Sequence, residues 1–376
     1  MDLSKTFDCL NHELLLAKLY AYDFSKKSLT LIRSYLKNRW QRAKINTSFS
    51  SWSELLMGVP QGSVLGPLLF NIYINDLFWF VDYCDICNFA DDTTPHTCDQ
   101  DLETLLQKLE HDSLNAIIWF KNNYMELNEE KCHLIVTGHK YENCWAMIGE
   151  SRIWETFRQK LLGVHIDNKL NFGYHVEQIC LKAGRKLSAL TRISHLLSLE
   201  RRRDIAKAFI ESQFSYCPLV WMFVNRTMNR KINRLHERTL RIVYYDYEST
   251  FEDLLNKDNS FTIHQRNIQS LAIEMFKTKR NQNPVSVKEI FVEKRDLGYD
   301  LRSHSFQDFE SMNVRKVHTG EDTLRFLGCK IWKLIPQEYK ELDYLDKFKM
   351  KIKSWKPKQC PCRICKVYIP RIGYIQ

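Results

Sequence analysis

Three aspartates in this chain have the type and spacing to run phosphoryl-group chemistry. Two are adjacent, in Cys87-Asn88-Phe89-Ala90-Asp91-Asp92-Thr93-Thr94. A short apolar run precedes them and polar residues follow, so the stretch reads as a strand meeting a tight turn. Neighbouring strand residues face opposite ways, so two acids here do not share one solvated face by default. Taken alone, the pair is more often an Asp-rich β-turn than a site, because Asp favours turns. The third acid, Asp2, changes the balance. Carboxylates from separate elements can hold two cations about 3.5–4 Å apart, one activating a hydroxyl and one steadying a triphosphate and its leaving group. Magnesium takes few protein carboxylates and completes its shell with substrate phosphates, so three acids suffice.

Between these acids lies Gly58-Val59-Pro60-Gln61-Gly62-Ser63-Val64-Leu65-Gly66-Pro67, with three glycines and two prolines in ten residues. Such a loop lets the backbone come close to a ligand. A glycine-rich loop opening a helix is a phosphate-cradle pattern, and equally a structural loop before a core helix.

The elements that must position these residues follow from periodicity. Met1 to Asp8 reads as a strand end and a turn. Asn11 to Ala21 and Lys27 to Lys37 carry helical spacing, with Asn11 as a candidate cap. Arg42 to Thr47 and Ser53 to Met57 read as short strands around an Asn46-Thr47-Ser48 turn, and Leu68 to Phe80 as a helix. Asp99 to Tyr124 is amphipathic, through Leu102, Leu105, Leu106, Leu109, Leu114, Ile117 and Ile118. A polar turn at Met125 to Lys131 leads to a strand at Cys132 to Thr137, a pair of strands around Tyr141 to Trp154, and one more strand at Lys160 to Asp167. The order predicts an α+β layered domain, with an antiparallel sheet backed by helices.

From Tyr174 to Tyr245 the pattern is helical throughout. Arg226, Arg230, Arg234 and Arg238 recur every four residues, with only Glu237 to balance them. Like charges at that spacing repel mildly, so the stripe is either a solvated face or a surface for phosphates. Lys182, Arg185, Lys186, Arg192 and Arg201 to Arg203 extend the basic region. Beyond a linker at Asn281 to Pro284, Thr323 to Ile335 and Leu345 to Trp355 read as helices.

Composition sets the frame. The chain has 376 residues, 44% hydrophobic, enough for two or three domains with sizeable cores. Its net charge of +10 suggests a polyanionic partner such as nucleic acid. No apolar run reaches the length of a membrane span and no signal peptide opens the chain, so an intracellular protein without a membrane partner is expected. Twelve scattered cysteines fit a reducing compartment. Cys360, Cys362 and Cys365 crowd the tail, but a structural zinc site takes four ligands and no His or Cys follows Cys365. No zinc is expected there, nor at Cys84-x-x-Cys87, which falls within a predicted strand.

Five segments in fixed order resemble the palm motifs of reverse transcriptases, in particular those of non-LTR (LINE-like) retrotransposons of the jockey type. They are Asp2-Leu3-Ser4-Lys5-Thr6-Phe7-Asp8, Gly58-Val59-Pro60-Gln61-Gly62-Ser63, Phe89-Ala90-Asp91-Asp92, Leu127-Asn128-x-x-Lys131 and Leu162-Gly163-Val164. Together they cover about the first 170 residues, and Gly328 to Pro336 is similar to the downstream part of such reading frames. The resemblance implies a palm over residues 1–172, a helical thumb over 173–250, a mainly helical extension over 251–350 and a Cys-containing tail over 351–376. It implies an RNA-directed DNA polymerase that joins a nucleotide to a primer 3′-hydroxyl using two Mg²⁺ ions, with Mn²⁺ as a substitute. Its partners would be an RNA template, a DNA primer and dNTPs.

By the same resemblance, Asp2, Asp91 and Asp92 would be the metal-binding carboxylates and Lys131 the general acid for pyrophosphate. Phe7 would lie under the incoming sugar, and Gln61 and Gly62 beside nucleotide and template. Leu162 and Gly163 would form the primer grip, and Arg226, Arg230, Arg234 and Arg238 would follow the duplex backbone. Phe7 and Lys131 taken singly read as a core aromatic and a turn lysine; only their offsets within the motif set mark them. The first motif begins at Met1, so the chain is expected to be N-terminally truncated and to lack the fingers region. A basic nucleic-acid-binding relic without catalysis is the alternative. A two-carboxylate nuclease gives the glycine loop and the Lys131 turn no role.

Overall fold

The computed structural model describes residues 1–4, 6–138, 143–293, 309–310, 314, 320–321, 323–356, 362, 364, 367–369 and 373–375. The chain divides into two compact units, Met1–Gln159 and Lys160–Gln376.

In the first unit, strand β1 (Asp2–Ser4) leads through a 3-10 turn, Thr6–Asp8, to helices α1 (His12–Ala21) and α2 (Lys26–Leu36). Each helix starts where a short polar side chain accepts an orphan amide: Asn11 from the Leu14 N–H at 3.0 Å, and Ser25 from the Ser28 N–H at 3.2 Å. Four two-residue strands follow, β2 (Trp40–Gln41), β3 (Lys44–Ile45), β4 (Ser48–Phe49) and β5 (Ser53–Glu54), paired β2 with β5 and β3 with β4. The strand predicted at Arg42 to Thr47 is cut short because Asn46 takes a left-handed φ of 52° and turns the chain between Ile45 and Ser48.

Helix α3 (Leu65–Ile74) runs on as a 3-10 stretch, Asn75–Phe80. Strands β6 (Asp85–Phe89) and β7 (Asp92–His96) form an antiparallel hairpin, and α4 (Leu102–Asn122) follows. Strand β8 (Glu126–Asn128) pairs antiparallel with β1, Asp2 opposite Asn128 and Leu3 opposite Leu127. Met1 and Thr93 exchange two backbone bonds, Met1 N to Thr93 O at 2.8 Å and Thr93 N to Met1 O at 3.2 Å. The chain at β1 therefore lies between the β6–β7 hairpin and β8. Leu3, Leu15, Leu19, Leu69, Phe70, Tyr73, Trp119 and Phe120 join these strands to α1, α3 and α4 in one core. Each such side chain contributes about 1.5–3 kcal/mol on burial.

Two expectations in this unit are corrected. Met125 to Lys131 is not a plain turn: it contains β8 and a 3-10 turn, Glu129–Lys131. Its polar sequence hides the strand, which forms because β1 supplies a ladder partner. Cys132 to Thr137 is not a strand, although Cys132, Leu134 and Val136 are buried in alternation. Among the described residues it has one isolated parallel bridge, Leu134 to Glu155, and no neighbouring strand that pairs along its length. The hairpin β9 (Trp145–Ile148) and β10 (Ser151–Trp154) packs against the same helix as this segment, α4.

Strands β11 (Arg158–Leu161) and β12 (Val164–Asp167) replace the single strand predicted at Lys160 to Asp167. Leu162 and Gly163 both take positive φ, 46° and 86°, the signature of a type I′ turn. The second unit is otherwise mainly helical: α5 (Gly173–Ile193), α6 (Leu199–Ile205), α7 (Pro218–Trp221), α8 (Arg226–Tyr244), α9 (Phe251–Asp258), α10 (Ile263–Lys279), α11 (Val285–Ile290), α12 (Leu324–Leu334), α13 (Gln337–Lys340) and α14 (Leu345–Ser354). One core gathers Ala183, Leu187, Ile210, Trp221, Ile232 and Leu235 from α5 to α8. Another gathers Leu271, Met275, Phe276, Ile331, Trp332 and Phe348 from α10, α12 and α14. Among the described residues, no helix is long and apolar enough to cross a membrane.

Candidate active site

Phe89 pairs with Asp92, so the hairpin closes over two residues, Ala90 and Asp91. Ala90 takes φ 54°, a left-handed conformation that costs a residue with a Cβ about 1–2 kcal/mol. The β6–β7 ladder holds it there, and strain of this kind clusters at functional sites. Asp91 and Asp92 are half-buried, and among the described residues their carboxylates have no ion pair or hydrogen bond. Two adjacent hard oxygen donors without a neutralising side chain suit a divalent cation. The Met1–Thr93 exchange sets the backbone of β1, and so Asp2, beside this tip.

The glycine loop is fastened to the segment that follows β1. Gly58 N–H donates to Leu10 O at 2.8 Å, Val59 N–H donates to Phe7 O at 2.9 Å, and Gly58 O lies 2.7 Å from His12 Nε2. Gly58 has φ 84°, and a Cβ there would meet Asp8 Cα and Phe7 O at 2.8 Å. Only glycine fits. Gln61 Nε2 donates to Asp8 Oδ1 at 3.0 Å, and Gly62, φ 81°, is exposed with open space around it. Phe7 is half-buried, its ring 4.7 Å from that of the fully buried Phe70. Lys131 closes the exposed 3-10 turn after β8. The first unit thus brings Asp2, Phe7, Gln61, Gly62, Asp91, Asp92 and Lys131 onto elements hydrogen-bonded or paired to one another.

Leu162, Gly163 and the arginines belong to the second unit. The Leu162–Gly163 turn rests on Tyr216, whose hydroxyl donates to Leu162 O at 2.5 Å. Beside it is a cleft of about 180 Å³ bounded by Gly163, His165, His175, Lys182 and Tyr216. On α8, Arg230, Arg234 and Arg238 are exposed and Arg226 half-buried. Glu237 is taken by Arg241, at 2.6 Å, so it does not balance the stripe. Not all of the predicted basic region is available. Arg202 is buried and donates to Val243 O and Leu197 O, and Arg203 pairs with buried Asp258 at 2.8 Å.

Other groups have structural explanations. Asp82, His111 and Asp112 form the one cluster among the described residues close enough to share a cation. Asp112, however, accepts the backbone N–H groups of Asp82, Tyr83 and Cys84 at 2.6–3.0 Å. Burial pushes its carboxyl up, and those N–H bonds outweigh it and hold it below the usual carboxylate range. Cys84 is buried, which raises its thiol to about 12, whereas Cys87 is exposed on β6. Of the tail cysteines, Cys360 and Cys365 lie outside the described residues. The sequence did not mark Asp8 and His12 as anchors of the glycine loop. Nor did it mark Lys18, whose half-buried ammonium bonds Asp76 and Tyr73 O at 2.7 Å between the Tyr73 and Trp119 rings. Desolvation lowers that lysine's pKa. A polar residue among apolar helix positions was its only sequence signal.

The hairpin tip thus carries two aspartates, and the backbone of the strand that carries a third, Asp2, is hydrogen-bonded beside it. Residues 1–166 match the family model described as reverse transcriptase (RNA-dependent DNA polymerase). The chain is also similar to polymerases of mobile elements, jockey among them. The RNA-directed DNA polymerase from mobile element jockey of Drosophila melanogaster is 27% identical over 253 residues, 64% of this chain and 27% of the relative. A probable RNA-directed DNA polymerase from transposon X-element of the same species is 24% identical over 256 residues, 65% of this chain and 28% of the relative. A polyprotein from a type-1 retrotransposable element R1 of Nasonia vitripennis is 22% identical over 177 residues, 44% of this chain and 43% of the relative. The chain thus spans little more than a quarter of the length of the first two relatives it matches.

Proposed function

We propose that this chain is the palm and downstream part of an RNA-directed DNA polymerase, joining deoxynucleotides to a DNA primer 3′-hydroxyl on an RNA template. The observation that carries the reading is the Met1–Thr93 backbone exchange, which sets the strand of Asp2 against the Asp91–Asp92 hairpin. Asp2, Asp91 and Asp92 would hold the divalent cations, Mg²⁺ or Mn²⁺. When bound, such ions activate the attacking hydroxyl and neutralise charge on the triphosphate.

In this reading the chain's own groups orient the reactants. Phe7, braced by Phe70, lies under the incoming sugar, where its bulk excludes a 2′-hydroxyl. The exposed backbone at Gln61 and Gly62 lines the nucleotide and template side. Lys131 gives a proton to the pyrophosphate oxygen as it leaves. Leu162 and Gly163 hold the primer end, and Arg226, Arg230, Arg234 and Arg238 contact the duplex phosphates. The palm then covers residues 1–172, the thumb 173–250, the extension 251–350 and the tail 351–376.

The test is incorporation of labelled dTTP by the purified chain on poly(A)/oligo(dT) with Mg²⁺. Replacing Asp91 and Asp92 together by Asn is expected to abolish it. Incorporation that survives the double substitution refutes the mechanism.

A further inference from the structure

The short strands β2 to β5 make a two-stranded ribbon in the first unit, and every residue on it from Trp40 to Glu54 is exposed. Three of its side chains are large aromatics left in solvent: Trp40 is 56% exposed, Phe49 50% and Trp52 58%. Single exposed apolar residues are ordinary on a protein surface, whereas a cluster of them marks a binding face.

Strand pairing gathers the three rings onto one side. Trp40 stands opposite Glu54, and Lys44 opposite Phe49. Residues two apart on an extended chain share a face, so Arg42 joins Trp40 and Lys44, and Trp52 joins Glu54. The side chains meet accordingly. Arg42 Cζ lies 3.9 Å from the centre of the Phe49 ring and 4.6 Å from that of Trp52, and Lys44 Nζ lies 5.4 Å from Phe49. Cation–π attraction holds this alternation of rings and cations together. Among the described residues Arg42 and Lys44 have no carboxylate partner, and Glu54 is the one acid between Lys37 and Met57.

Two properties of this face select its partner. Its rings offer flat surfaces on which any base can stack, and its cations offer charge to the phosphates between bases. An apolar protein segment would strip water from Arg42 and Lys44 and return no carboxylate to them. A duplex presents phosphates but keeps its base faces inside the stack.

We propose that the β2–β5 ribbon binds single-stranded nucleic acid, with bases stacking on Trp40, Phe49 and Trp52 and phosphates meeting Arg42 and Lys44. The polymerase reading gives these residues no role. The ribbon adds a contact for an unpaired strand, and it is tested by binding, without turnover, so its failure is distinct from failure of that reading.

Fluorescence anisotropy of the full chain with labelled oligo(U) measures the contact, with an RNA–DNA hybrid as the paired control. Trp40→Ala, Phe49→Ala and Trp52→Ala are each expected to weaken oligo(U) binding about 5-fold or more. Hybrid binding should stay unchanged, because truncating an exposed side chain leaves the fold intact. Trp52→Phe, which keeps a ring, is expected to retain most of the affinity. Arg42→Gln with Lys44→Gln is expected to lower the slope of log affinity against log salt by about 1.4, since each single-strand phosphate neutralised adds about 0.7. The ring variants should leave that slope as it is. A wild-type chain that does not bind oligo(U) overturns the proposal, as does undiminished oligo(U) affinity in the three alanine variants. Equal losses on oligo(U) and hybrid also overturn it. So does a chain that self-associates in sedimentation and loses that association, rather than oligo(U) affinity, in the alanine variants, because the face would then meet a second copy.

Discussion

Gly58→Ala probes how the glycine loop is tied to the segment that continues β1. The new Cβ adds two costs. At φ 84° an alanine sits in the left-handed region, at about 1–2 kcal/mol. It also meets Asp8 Cα and Phe7 O at 2.8 Å, both main-chain atoms that cannot rotate aside, and forced overpacking of this kind costs about 1–3 kcal/mol. A stiffer unfolded chain returns about 0.4–1 kcal/mol. The net loss is about 1–5 kcal/mol, and at about 2–4 °C per kcal/mol for a unit of this size the midpoint falls by roughly 2–20 °C. Gly62→Ala is the matched control, because Gly62 has nearly the same φ, 81°, with nothing within 4 Å of an added Cβ. It should lose only the backbone part, about 1 kcal/mol. Calorimetry of the full chain measures both. Equal destabilisation by the two variants would refute the close approach as the reason for Gly58.

The remaining predictions concern charge. Changing Arg230, Arg234 and Arg238 to Gln should lower the slope of log affinity against log salt for an RNA–DNA hybrid by about 2–3, since each duplex phosphate that an arginine neutralises adds about 0.9 to the slope. Fluorescence anisotropy across a salt series measures it, and an unchanged slope removes α8 from the duplex path. Burial lowers His175 and His236 to about 4, so the folded chain keeps both neutral while the unfolded chain protonates them below about 6.5. Their contribution is therefore present above pH 6.5 and lost as pH falls from there towards 4, at up to about 1.4 kcal/mol per pH unit for each. Urea unfolding at stepped pH should show this slope. His175→Gln and His236→Gln should each flatten it.

Much of the candidate site's local structure was legible in the sequence because its signals are local. The Asp91–Asp92 turn declares itself by composition, and the glycine loop by density. Where reading failed, the deciding partner was distant. Glu126-Leu127-Asn128 has no strand pattern, yet becomes β8 because β1 lies alongside. Cys132 to Val136 has the alternation of a strand but, among the described residues, pairs along no neighbour. Leu162-Gly163 splits a predicted strand because both residues adopt positive φ, which apolar alternation does not reveal. Arg202 and Arg203 looked like part of a nucleic-acid face. The fold instead spends them on carbonyls and on Asp258. His264 is the reverse case: nothing near it in sequence marks its partner, and only the fold brings Cys362 to it.

The central claim is that the cation centre lies at the hairpin tip beside β1. Electron paramagnetic resonance of Mn²⁺ added to the full chain counts bound ions directly, without requiring turnover. Wild type should bind Mn²⁺, and replacing Asp91 and Asp92 by Asn should abolish that binding. Asp82→Asn with His111→Gln should leave it unchanged, since Asp112 in that cluster is engaged by three backbone amides. Mn²⁺ binding that survives loss of both hairpin carboxylates, or disappears with Asp82 and His111, contradicts the account.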